Sequence, residues 1–93
     1  IKIYGNRINL DDVEEIVSRF FGECACVGVD DLLIIFVKLN SDVSKIKTMI
    51  SQKINTNYRA IDVRCIINIP RNSSGKILYS ELELAADKKF KKN

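Results

Sequence analysis

The sequence predicts an α+β domain: a small, mainly three-stranded sheet with flanking helices, preceded by an N-terminal β-hairpin. Three observations lead there. Residues 61–69 place Ile61, Val63, Cys65, Ile67 and Ile69 at the period of a strand, residues 13–21 repeat apolar side chains at helical spacing, and strand-like and helix-like segments interleave along one short chain. Ninety-three residues make one domain. With 46% apolar and 29% charged residues it has the composition of a globular chain rather than a disordered one.

Taken in order, residues 1–10 alternate on either side of Gly5-Asn6, which reads as a tight hairpin turn. Asn9 is a good N-cap, with Asp12 in capping-box position. Val13, Ile16, Val17, Phe20 and Phe21 then form the apolar face of a first helix, stopped by Gly22. Strands follow at 23–29 and 32–39, joined by Asp30-Asp31. The second is apolar on both faces and so is expected to be central. Asn40-Ser41-Asp42 opens a second helix bearing Val43, Ile46, Ile50 and Ile54 on one side. The alternating strand at 61–69 ends at Pro70, which cannot donate to a ladder. Residues 70–76 make a loop. A last helix over 80–90 is expected, with Ser80 and Glu83 as a capping-box pair.

Composition excludes several chemistries. The chain has no His, which removes the commonest general base and the commonest metal ligand. Its three cysteines, at 24, 26 and 65, are too few for a zinc site without His, and they read as reduced, buried thiols of a cytoplasmic protein. No metal site is expected. No apolar run is long enough to span a membrane. The net charge of +3 is unevenly spread: residues 1–31 hold three basic and seven acidic residues, residues 32–93 twelve and five. Such a basic second half could meet phosphates. Lys88, Lys89, Lys91 and Lys92 are more simply cations complementing the dipole of the last helix.

The unusual feature is the loop Pro70-Arg71-Asn72-Ser73-Ser74-Gly75-Lys76, which sets a lysine directly after a glycine between a strand and a helix. It is not a nucleotide-binding P-loop. Pro70 stands where the first glycine belongs, and Ile77, with no hydroxyl for magnesium, follows the lysine.

Residues 69–77 instead resemble the final signature of the adenylate-forming enzymes: acyl-CoA synthetases, AMP-dependent ligases and peptide-synthetase adenylation domains. That signature runs apolar-Pro-Arg/Lys-Thr-x-Ser-Gly-Lys-Ile/Val. Residues 2–14 are similar to the same family's Lys-Ile-x-Gly-Tyr/Phe-Arg-Ile-Glu-x-x-Glu-Ile-Glu hairpin and helix. The resemblance covers about residues 1–86. Asn6 and Asn72 depart from the pattern, and Tyr79 stands where many members carry Arg.

The resemblance implies that residues 1–93 are the single C-terminal lid domain of a larger ligase, cut from a longer polypeptide whose large N-terminal domain binds ATP and magnesium. It implies Lys76 as the adenylation lysine, supported by Gly75, Ser74 and Pro70. Gly5 would line a thiol tunnel and Arg7 would meet the phosphates of CoA. The acceptor would be CoA or the pantetheine of an acyl carrier protein, the acid substrate a carboxylic acid, and the isolated domain inactive. Electrostatics supports the lysine independently, because a carboxylate and the α-phosphate of ATP repel and a positioned ammonium relieves that repulsion. A second reading is a non-catalytic or degenerate binding module whose basic half meets phosphate or nucleic acid. Few aromatics are interleaved with the basic residues and no nucleic-acid-binding signature is present, so no nucleic-acid partner is expected.

Overall fold

The computed structural model describes residues 2, 3 and 5–91, with the side chains of Lys2, Asn6 and residues 87–91 left out. Strands β1 (Lys2–Ile3) and β2 (Asn6–Arg7) form the hairpin, followed by α1 (Leu10–Phe21), β3 (Cys24–Val29), β4 (Leu32–Lys38), α2 (Val43–Lys53), a 3₁₀ turn at Tyr58–Ala60, β5 (Ile61–Ile66) and α3 (Tyr79–Lys91). The expected α+β architecture is what the structure shows. Its three-stranded sheet runs β3-β4-β5, antiparallel across the first pair and parallel across the second, with α2 in the crossover.

Strand β4 is central and buried on both faces, as its uninterrupted apolar run requires. Its side chains divide the core in two. Leu33, Ile35 and Val37 join Cys24, Cys26, Ile61 and Val63 under α1, α2 and the hairpin, with Ile3, Ile8, Val13, Val17, Ile46 and Ile50 closing that cluster. Ile34 and Phe36 join Ala25 and Val27 on the other face, under Ile69, Ile77 and the α3 residues Leu82 and Ala86.

Local signals explain most boundaries. The Asn9 side chain accepts from the N–H groups of Asp11 and Asp12, and Asp42 caps α2 by accepting from Lys45 N–H. Gly22 ends α1 at φ +96°, in the region that favours glycine.

Five expectations need correction. Ile3 pairs with Asn6, so the hairpin turn falls one residue earlier than Gly5-Asn6 and Asn6 already belongs to the second strand. β5 stops at Ile66 rather than running to Ile69, because its partner β4 ends at Lys38, the residue opposite Ile66. Beyond that point Ile67 is 74% exposed. α3 begins at Tyr79, so Ser80 lies inside the helix; the N–H groups of Glu81 and Leu82 are taken by the Leu78 carbonyl. Phe20 is exposed at the end of α1. Cys65, expected to be buried, is exposed: it lies two residues beyond Val63 on the same strand face, outside the cluster that covers Val63. Lys92, and the side chains of Lys88, Lys89 and Lys91 expected to complement the helix dipole, lie outside the described residues.

Candidate functional site

Among the described residues, none that is polar or charged is buried, and no group of three or more His, Cys, Asp or Glu is placed to hold a metal ion. No helix of the described residues is long and apolar enough to cross a membrane. The polar and charged side chains of the described residues are therefore all at least partly exposed.

The loop after Ile69 is the most tightly tied surface segment. Arg71 and Ile77 form an isolated antiparallel bridge, and Leu78 N–H donates to the Pro70 carbonyl at 2.9 Å, so the chain leaves and re-enters side by side. Inside the turn, Asn72 N–H donates to the Lys76 carbonyl and Gly75 N–H to the Asn72 carbonyl, both at 2.9 Å. The Asn72 side-chain carbonyl accepts from Ser74 N–H at 2.9 Å and Lys76 N–H at 3.0 Å. A short amide that captures nearby backbone donors is a known turn-former. Gly75 sits at φ +86°, which L side chains adopt with strain. Lys76 is exposed at the end of this turn.

A guanidinium ties the turn to the sheet. Arg71 Nη1 donates to the Gly75 carbonyl at 2.7 Å, while its Nε (3.1 Å) and Nη2 both donate to Glu23 Oε2, just before β3. Lys38 Nζ lies 3.3 Å from the other Glu23 oxygen. Hydrogen bonds from Arg71 and then Lys38 hold the Glu23 carboxyl below its ordinary range.

A second contact ties the start of α3 to α1 around the edge of β3. Glu14 Oε2 accepts from the backbone N–H of Cys26 at 2.9 Å, satisfying a donor on the outer edge of β3. Both Glu14 oxygens lie within 3.0 Å of the Tyr79 hydroxyl, which donates to them. Desolvation, then this hydrogen bond, pushes the Tyr79 phenol up to about 12. Cys24 and Cys26 are free and buried, and hydrogen bonding to Cys24 together with burial pushes the Cys26 thiol far up.

The predicted residues thus form two groups. Pro70, Ser74, Gly75 and Lys76 come together in one turn, beside Ile69 and Ile77 on the α3 face of the sheet. Gly5 and Arg7 are exposed on the hairpin, whose Ile3 packs with the core on the opposite face, as does neighbouring Ile8. Gly5 has φ +85°, and a Cβ placed there would meet no heavy atom within 4 Å. Within this chain its glycine is a matter of backbone conformation, not crowding. Arg7 borders a shallow hollow of about 430 Å³ shared with Ile8, Asn9, Leu10 and Asp11. Sequence reasoning did not find the Arg71–Glu23 contact or the Tyr79–Glu14 pair, although all four residues were in view.

Neither a protein-family model nor a curated protein matches the chain. The resemblance to the adenylate-forming enzymes stands on the residues of its two motifs alone.

Proposed function

We propose that the chain is the mobile small domain of an AMP-forming acid–thiol ligase, and that Lys76 serves its adenylation step. The observation that carries this reading is an exposed lysine on a turn whose backbone is bonded to itself and stapled to the sheet. A backbone so held fixes where the lysine leaves the turn, which lowers the reorganisation needed when its charge meets the target. In this reading the target lies in the large domain of the same polypeptide.

In the first half-reaction a carboxylate oxygen attacks the α-phosphorus of ATP, the acid O–P bond forms and pyrophosphate leaves. The Lys76 ammonium lies between carboxylate and phosphate oxygens and offsets their repulsion. In the second, a thiol of CoA or of carrier-protein pantetheine attacks the acyl carbon and AMP leaves. The hairpin face, with Gly5 and Arg7, is turned to the large domain for that step. Its separation from Lys76 across the sheet favours two orientations of one domain, each presenting one face. Magnesium and most of the nucleotide fall to the large domain, and the 93 residues alone are expected to be inactive. A cytoplasmic location belongs to the same reading, in keeping with the free cysteines.

The test uses the full-length polypeptide. Lys76→Ala should lower acid-dependent pyrophosphate exchange by roughly 10²–10³ while thioester formation from supplied acyl-adenylate survives. Equal loss of both half-reactions, or of neither, contradicts the reading.

A further inference from the structure

The geometry points to Arg71 as a positioning residue for Lys76, acting through the Gly75 carbonyl with Glu23 as its anchor; this rests on the adenylation role of Lys76. The peptide group between Gly75 and Lys76 is held from both sides by side chains. Its carbonyl accepts from Arg71 Nη1 at 2.7 Å, and its N–H donates to Asn72 Oδ1 at 3.0 Å. The next carbonyl, that of Lys76 itself, accepts from Asn72 N–H at 2.9 Å. The backbone on either side of the Lys76 Cα is thereby set, and with it the direction in which the side chain leaves the turn.

Asn72 belongs to the turn and moves with it. Arg71 alone among these partners reaches outside the turn, to a carboxylate 48 positions earlier in the chain. Glu23 in turn is held by Lys38 at the end of β4. The guanidinium fork spans two acceptors that a single ammonium, as a point donor, would not hold in one plane. The turn is therefore indexed to the sheet, and Lys76 arrives with the orientation of the whole domain. Displacing a catalytic group by about 1 Å can reduce turnover by roughly 10²-fold. The lysine's charge and length are untouched by a change at Arg71, so the expected loss lies in turnover and not in substrate affinity.

The experiment measures both half-reactions of the full-length polypeptide carrying Arg71→Met, Arg71→Lys, Glu23→Gln or Lys76→Ala. Arg71→Met should lower kcat of pyrophosphate exchange about 10- to 100-fold. KM for ATP and acid, and thioester formation from supplied acyl-adenylate, should stay at wild type. Arg71→Lys should recover part of the loss, and Glu23→Gln, which leaves the contact to Gly75 but weakens its anchor by removing the carboxylate charge, should show a smaller fall of the same kind. Glu23→Gln also carries the test if Arg71→Met does not fold. Wild-type exchange in Arg71→Met and Glu23→Gln beside an inactive Lys76→Ala overturns the inference alone. So does a parallel fall of both half-reactions that tracks lost thermal stability. Unchanged exchange in Lys76→Ala sinks the adenylation role and this inference with it.

Discussion

On the α3 side of the sheet, residues 70–77 close a turn in which Asn72 and Arg71 take up backbone groups around Gly75 and Lys76. On the other side, the hairpin of Lys2–Ile3 and Asn6–Arg7 is short and has the fully buried Ile3 in its first strand. Both expose a glycine at nearly the same positive φ, +86° at Gly75 and +85° at Gly5, and a Cβ at either would meet nothing within 4 Å. The difference lies in what surrounds that glycine. The lysine turn carries side-chain contacts to its own backbone that set direction, while the hairpin is placed by its β1–β2 pairing and by the apolar anchorage of Ile3. Directional control is what a side chain reaching into a distant pocket needs.

Alanine at each glycine tests this contrast most strongly. Gly75→Ala and Gly5→Ala should each destabilise the chain by roughly 1–2 kcal/mol in chemical denaturation, from backbone strain alone. Only Gly75→Ala should also broaden or shift the amide resonances of Ser74 and Lys76, whose N–H groups share the Asn72 carbonyl. Equal perturbation of those amides by Gly5→Ala would show that the two faces are not independent.

The Tyr79–Glu14 brace comes next. Tyr79→Phe should cost about 0.5–1.5 kcal/mol, the value of one hydrogen bond. It should also remove from the tyrosine absorbance titration the component that rises near pH 12. Because folding raises this phenol's pKa, the bond's contribution is complete below the ordinary tyrosine value of about 10. It is lost as pH climbs through about 12. The stability gap between wild type and Tyr79→Phe should close across that interval; a gap independent of pH contradicts the assignment.

The smallest effect is expected at Glu23. Its carboxyl is lowered by Arg71 and then Lys38, so the ion pair contributes above the ordinary carboxylate range and is lost as pH falls through the lowered value. The pair is partly exposed and screened by salt. Glu23→Gln should therefore be slightly less stable than wild type at neutral pH and low salt, with the difference vanishing in acid and in high salt. A difference that grows in acid would reverse the sign of the argument.

The fold was largely legible because its signals are local. Asn9 and Asp42 cap the helices they precede, and the unbroken apolar run of β4 announces a strand covered on both faces. What escaped depends on partners distant in sequence. The alternation that continues through Ile67 and Ile69 gives no sign that β4 has already ended opposite Ile66. Ser80 has the chemistry of a cap, yet the return of the chain at Leu78 to Pro70 starts α3 one residue sooner. Lys76 and Gly75 could be singled out from their neighbours in sequence. The contacts of Arg71 could not, since they need Glu23, brought alongside only when β3 takes its place in the sheet.

The position of one nitrogen decides the matter most directly: Lys76 Nζ in a crystal of the full-length polypeptide holding ATP and a non-reacting analogue of its acid. The account predicts that nitrogen within hydrogen-bonding reach, roughly 2.7–3.2 Å, of a carboxylate or phosphate oxygen. Nucleotide and acid seated together with that lysine turned to bulk water would contradict it.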